Sequence, residues 1–113
     1  MARKPVLESA VMDILWDEGG WLTTVEVRRL LTRDVAPTTV GTVLTRLHEK
    51  GRLRRRERGK SFEYQASRTR EEHVASHMEQ VLDTSHDRGL ALLEFVGRLP
   101  PDDRSRLRRL LRS

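Results

Sequence analysis

Two alternating segments, Leu53–Glu57 and Phe62–Ala66, interrupt a chain whose apolar residues otherwise recur at helical spacing. They flank Arg58-Gly59-Lys60-Ser61, a turn sequence containing glycine, so they read as one β-hairpin. In the second strand Phe62, Tyr64 and Ala66 are expected to face inward. The first has only Leu53 as an inward apolar anchor and is a strand by context more than by propensity. The fold class that follows is mainly α with a small β-hairpin.

Three helical segments precede the hairpin. Leu7, Ala10, Val11, Ile14 and Leu15 follow the i, i+3, i+4, i+7, i+8 spacing of a helix with one buried stripe, and Gly19-Gly20 ends it. Trp21-Leu22-Thr23 is short and β-prone. Thr23-Thr24-Val25-Glu26 then has the form of a capping box, with Leu22 and Val27 at the staple positions. The second helix is expected to bury Val27, Leu30 and Leu31 and to end near Arg33-Asp34. Pro37 suits the first turn of a third helix, because its missing N–H does no harm there. Val40, Val43, Leu44 and Leu47 make that helix's inner stripe, and Gly51 is a left-handed stop. Its opposite face collects Thr38, Thr42 and Thr45, with Thr39, Gly41 and Arg46 on the flanks.

After the hairpin the helical period returns. Thr69-Arg70-Glu71-Glu72 is a second capping box, Asp87 caps a further helix, and Pro101 with Asp102 and Asp103 opens the last. Residues 1–67 read as a unit that can close its own core, and residues 68–113 as a helical region that cannot. The middle tail helix is apolar over too wide an arc for one neighbour to cover. The expectation is a homodimer held by Val74, Met78, Val81, Leu82, Leu90, Leu93, Phe95, Val96, Leu107 and Leu110, the alternative being a tail folded back on its own chain.

Charge locates the function. The 113 residues carry 22 Lys and Arg against 17 Asp and Glu, a formal +5. The segment from Arg46 to Lys60 alone holds eight basic residues against Glu49 and Glu57, so its local balance of +6 exceeds that of the whole chain. A helix with small hydroxyl side chains outward, followed at once by a basic hairpin, is the arrangement of a winged helix-turn-helix. Threonine can reach base edges in a major groove without bulk, while hairpin arginines grip the adjoining phosphates. The candidate DNA-binding residues are therefore Thr38, Thr39, Gly41, Thr42, Thr45 and Arg46 on the helix and Arg54, Arg56, Arg58 and Lys60 on the hairpin. Two other readings compete: a plain solvated helix and edge strand, and a winged helix whose basic hairpin meets an acidic protein partner.

Other chemistries find little support. With no cysteine there are no disulfides, thiolate metal sites or iron–sulfur clusters. Gly59-Lys60-Ser61 ends like a phosphate-binding P-loop, but Arg54 stands where its first glycine belongs and a strand follows it. His73 and His77 stand at i, i+4 with only the remote His86 as a third ligand, so a structural or interface role is expected and no metal or cofactor. No nucleophile–base set appears, so the chain is not expected to be an enzyme. Met1-Ala2-Arg3-Lys4-Pro5 is basic, yet Glu8 and Asp13 follow it, unlike a signal peptide. No window reaches the ~20 apolar residues of a membrane span, so a cytoplasmic protein without membrane insertion is expected.

The sequence resembles the penicillinase repressor (BlaI/MecI) type of bacterial winged-helix regulator. Ala10-Val11-Met12-Asp13-Ile14-Leu15-Trp16 is similar to that family's first-helix signature. Pro37 to Leu47 resembles its recognition helix, and Lys50-Gly51 with Arg58 to Tyr64 its wing. The resemblance implies a homodimeric repressor of an inverted-repeat operator, with contacts at Thr38, Thr39, Thr42 and Arg46 and in the wing around Arg56, Arg58 and Lys60. Thr38 and Gly41 depart from the basic or Gln residues common on that helix, which implies a different operator preference. Family repressors are inactivated by a sensor-linked protease in the tail, often at an Asn–Phe bond. The counterpart here is Glu94-Phe95, whose first residue differs. A copper-sensing branch relies on C-terminal cysteines, which this chain lacks.

Overall fold

The structure, a computed structural model, describes residues 6–112. The basic stretch Met1 to Pro5 noted in the sequence lies outside the described residues. In chain order the elements are α1 (Val6–Glu18), β1 (Leu22–Thr23), α2 (Thr24–Leu30), α3 (Pro37–Glu49), β2 (Leu53–Arg58), β3 (Ser61–Ala66), α4 (Arg70–Leu82), α5 (Arg88–Arg98) and α6 (Pro101–Leu111). They fall into two compact units, one ending at Glu72 and the other beginning at His73.

In the first unit α1 presents Glu8, Val11, Met12 and Leu15 to the core. This stripe is rotated from the expected one, leaving Leu7 and Ile14 only half-buried. The rotation requires an acid inside, and Glu8 is tolerated there because Lys50 Nζ lies 3.1 Å from both of its carboxylate oxygens. Gly19, at φ +72°, then turns the chain out of the helix.

The capping box forms as read from sequence. Glu26 N donates to Thr23 Oγ1 at 3.2 Å and Thr23 N donates to Glu26 Oε1 at 3.1 Å. Leu22 and Val27 are both buried at the staple positions. Helix α2 ends at Leu30, short of Arg33-Asp34, and Leu30 is exposed with Leu31 half-buried. Leu31 turns extended while Arg28 Nε donates to Val35 O at 2.7 Å, which holds the connector against the helix.

The strands form one antiparallel sheet in the order β1-β3-β2. The register pairs Leu22 with Tyr64, Leu53 with Ala66 and Arg58 with Ser61. Gly59 and Lys60 are thus a two-residue turn, whose first position, φ +61°, suits glycine. Leu22, Leu53 and Tyr64 face the helices and are buried. Phe62, expected inward, is exposed: it pairs with Glu57 near the hairpin tip, beyond the reach of the core, and the Arg55 guanidinium covers its ring at 4.3 Å.

The core comprises Val11, Met12, Leu15, Leu22, Val27, Val40, Val43, Leu44, Leu47, Leu53 and Tyr64. Four of these come from α3, the full stripe read from its sequence. Arg70, in the first turn of α4, pairs with Asp13 at 3.3 Å and Asp17 at 3.1 Å and lies 5.3 Å from the Trp16 ring.

In the second unit, Asp87 Oδ1 accepts from Leu90 N at 3.0 Å to cap α5, and α6 runs from acidic Asp102 and Asp103 to basic Arg108 and Arg109. No residue of α4, α5 or α6 is buried. A cleft of about 800 Å³ is lined by Val74, Met78, Val81, Leu82, Leu92 and Phe95 among others.

Leu44 is wholly buried at the centre of α3. Leu44→Ala is expected to cost about 2–5 kcal/mol of unfolding free energy in a urea titration. A loss below about 1 kcal/mol would show that this site collapses around the change.

Candidate nucleic-acid interface

Helix α3 begins at Pro37, and its N-cap Ala36 supplies no side-chain hydrogen bond. Thr38, Thr39, Thr42 and Arg46 are exposed, and Thr45 and Gly41 half-buried beside them. Thr42 Oγ1 donates to Thr38 O at 2.9 Å. Its single hydroxyl proton is thereby used, so toward a ligand Thr42 offers lone pairs and a methyl. A methyl at Gly41 would meet no atom within 4 Å, so the helix carries an open notch on the flank of this face. Among the described residues Arg46 forms no ion pair. At the far end of the helix, His48 Nδ1 lies 3.1 Å from Leu53 O and therefore bears the proton, which joins α3 to β2.

Alternation on β2 sends Arg54, Arg56 and Arg58 to the face opposite Leu53. The register lays Gln65, Glu63 and Ser61 beside them. Arg56 Nε meets Glu63 Oε1 at 2.9 Å, and Arg58 Nη1 meets Glu63 Oε2 at 2.7 Å. Arg54 donates to Gln65, whose Nε2 donates in turn to Gly19 O at 3.2 Å. Trp21, just before β1, lies under two of these cations, with the Arg56 guanidinium 4.3 Å and that of Arg54 5.6 Å from its ring.

Electrostatics follow from these bonds. The hydrogen bonds from Arg58 and Arg56 hold the Glu63 carboxyl below the ordinary carboxylate value, and the same bond raises Arg58. The Thr23 backbone and hydroxyl likewise lower Glu26. Lys60 is exposed in the turn, whereas Lys50 is committed to Glu8.

All ten candidate DNA-binding residues therefore lie on α3 or the hairpin of one unit. Sequence reasoning missed Glu63, Trp21 and the Lys50–Glu8 pair. Glu63 was open to detection: once the turn is fixed as two residues, an acid at 63 must stand beside the arginine at 56.

The candidate interface residues of the tail are exposed, except for half-buried Leu82. Leu93 and Leu110 are about two-thirds exposed, at 67% and 66%. Glu94 and Phe95 lie within α5, both exposed. The His73 and His77 rings are 6.4 Å apart, edge to face, and no group of three or more His, Cys, Asp or Glu suited to a metal occurs among the described residues.

The penicillinase repressor family profile matches residues 6–113. The chain belongs to the penicillinase repressor family. The transcriptional regulator BlaI, from two strains of Mycobacterium tuberculosis, is 38% identical over 116 residues, spanning 98% of this chain and 84% of the relative. This penicillinase repressor family member is accordingly a transcriptional regulator and not an enzyme. A solved MarR family protein from Bacillus stearothermophilus, 16% identical, superposes with a TM-score of 0.52 over 98% of this chain and 72% of its own. That likeness shows the winged-helix fold alone. No helix among the described residues is long and apolar enough to cross a membrane.

The notch at Gly41 has a thermodynamic signature. A glycine in a helix interior is less stable than alanine by about 0.5–1 kcal/mol, and here the methyl has room. Gly41→Ala is expected to raise the thermal midpoint of the free protein; a lowered midpoint would show that the flank is closer packed than the structure has it.

Proposed function

We propose that this regulator represses transcription by binding double-stranded DNA as a homodimer on an inverted-repeat operator. The observation that carries the reading is the outer face of α3, where Thr38, Thr39, Thr42 and Arg46 are exposed in the same unit as a hairpin bearing Arg54, Arg56, Arg58 and Lys60. The threonines and Arg46 meet base edges in the major groove, and the Gly41 notch admits close approach. The hairpin cations bind neighbouring phosphates and fix the register of the helix. Paired winged-helix units then reach grooves about one helical turn apart, which is why the site is a palindrome.

The tail region supplies the pairing. Exposed apolar groups on all three tail helices, with a cleft of about 800 Å³ between α4 and α5, fit burial against a second copy. A sensor-linked protease that cut Glu94–Phe95 would sever α5 and dissolve the dimer, releasing the operator.

A duplex enriched by the wild-type protein from a randomised library tests the DNA reading in a gel shift against a scrambled duplex. The selected duplex should shift specifically, and Arg46→Ala should abolish the preference. Failure to enrich any sequence, or unchanged preference in the variant, would sink it. If the dimer neutralises on the order of 6–10 phosphates, affinity should fall about 10³–10⁵-fold between 50 and 200 mM salt. A flat response would favour an acidic protein partner instead.

Sedimentation tests the assembly. The wild type should run as a dimer, and Leu93→Glu should run as a monomer whose first unit keeps its circular dichroism. A monomeric wild type overturns the tail interface.

A further inference from the structure

We infer that Glu63 is a positioning residue for DNA binding, holding Arg56 and Arg58 as a fixed pair whose remaining N–H groups are presented to phosphate. The inference rests on the DNA-binding reading above and adds to it a residue of the wrong charge for the task. Glu63 is only 4% exposed, although it pairs beside the most basic stretch of the chain and lies on the sheet face away from the core. A carboxylate so placed weakens the general attraction of the wing for a polyanion. Its contribution must be geometric.

The hydrogen bonds divide the two guanidiniums in a useful way. Glu63 takes Nε of Arg56 and Nη1 of Arg58. Arg56 keeps its terminal Nη1/Nη2 edge, and Arg58 keeps its Nε/Nη2 edge. Each is a two-donor edge that fits a phosphate. The side chains remain 55% and 66% exposed, so these edges are accessible. Trp21 supports the Arg56 guanidinium from beneath at 4.3 Å, which restricts it further. Ordering a free arginine on binding costs rotamer entropy, and the carboxylate and the indole have already imposed that order here.

Pure charge and positioning make opposite forecasts for Glu63→Gln. The substitution removes one negative charge beside the wing, so charge alone raises affinity for every duplex. Positioning instead lowers affinity for the matched duplex, where the arginines must meet particular phosphates, and leaves or strengthens binding to the scrambled one. The experiment measures dissociation constants of the full-length wild type and Glu63→Gln for the duplex selected by the wild type and for a scrambled duplex of equal composition. The expected result is an about tenfold weaker selected complex, the loss of roughly one charge-assisted hydrogen bond, and a correspondingly smaller ratio of selected to scrambled affinity. Selected binding as tight as or tighter than wild type, with the ratio unchanged, overturns the inference. Circular dichroism establishes that the variant is folded. Should it unfold, Trp21→Leu puts the same question to Arg56, and an unchanged ratio there overturns the inference as well. The wild-type arm separates the two levels: if it selects no duplex, the DNA reading fails before Glu63 is reached.

Discussion

The burial of one side of α3 is the condition on which the first unit depends. Val40, Val43, Leu44 and Leu47 are all within the core, and through them α3 packs on α1, α2 and β2. A helix that offers its outer face to a ligand makes no use of that face for stability. Everything that fixes its orientation must come from the inner stripe and the two ends. The C-terminal end is fastened by side chains, Lys50 to Glu8 and His48 to the Leu53 carbonyl, while the N-terminal end has no side-chain cap and starts on Pro37. Thr38, Thr39 and Thr42 can therefore remain short and outward without loosening the fold.

The hairpin shows a different economy of charge. Its arginines appear in sequence as an undivided block, but the pleat separates them into two populations. Arg55 goes to the face that carries Phe62 and covers that ring, while Arg54, Arg56 and Arg58 go to the other face and are each held by a side chain of β3. Net charge by itself would attract DNA at any angle. Anchored guanidiniums convert the same charge into a surface of fixed shape, which on the DNA-binding reading is what a helix meeting base edges requires.

Most of the fold was legible because its signals are local. The α3 stripe, both capping boxes, the Asp87 cap, and the glycines at 19, 51 and 59 each follow from a few neighbouring residues. What escaped was long-range. Nothing local marks Glu8 as a buried acid, because the group that neutralises it, Lys50, stands 42 positions away, and Met12 enters the core with the same rotation of α1. Phe62 follows the inward alternation correctly, but periodicity does not tell where a strand outruns the helices beneath it. Spacing alone predicts Leu30 in the core, and the early end of α2 leaves it outside. At the candidate interface the basic residues were readable as a cluster, whereas their partners Glu63 and Trp21 became visible only with the strand register.

The tail follows a different physical rule from the first unit. A domain that closes its own core has a stability set by its sequence; a region whose apolar side chains stay exposed has one set by what it meets. With Val81 60% and Leu93 67% exposed, the helices of residues 73–112 have little to hold them in one chain, so on the dimer reading their order and the pairing of two chains are one equilibrium. On the same reading a single winged unit meets only a half-site, and two joined units gain effective concentration at the second half-site once the first is bound. Operator occupancy then responds to the integrity of the tail as sharply as to the contacts of α3. Derepression on this scheme need not disturb the DNA-reading surface at all, because loss of the joined state removes the advantage that made binding specific and tight.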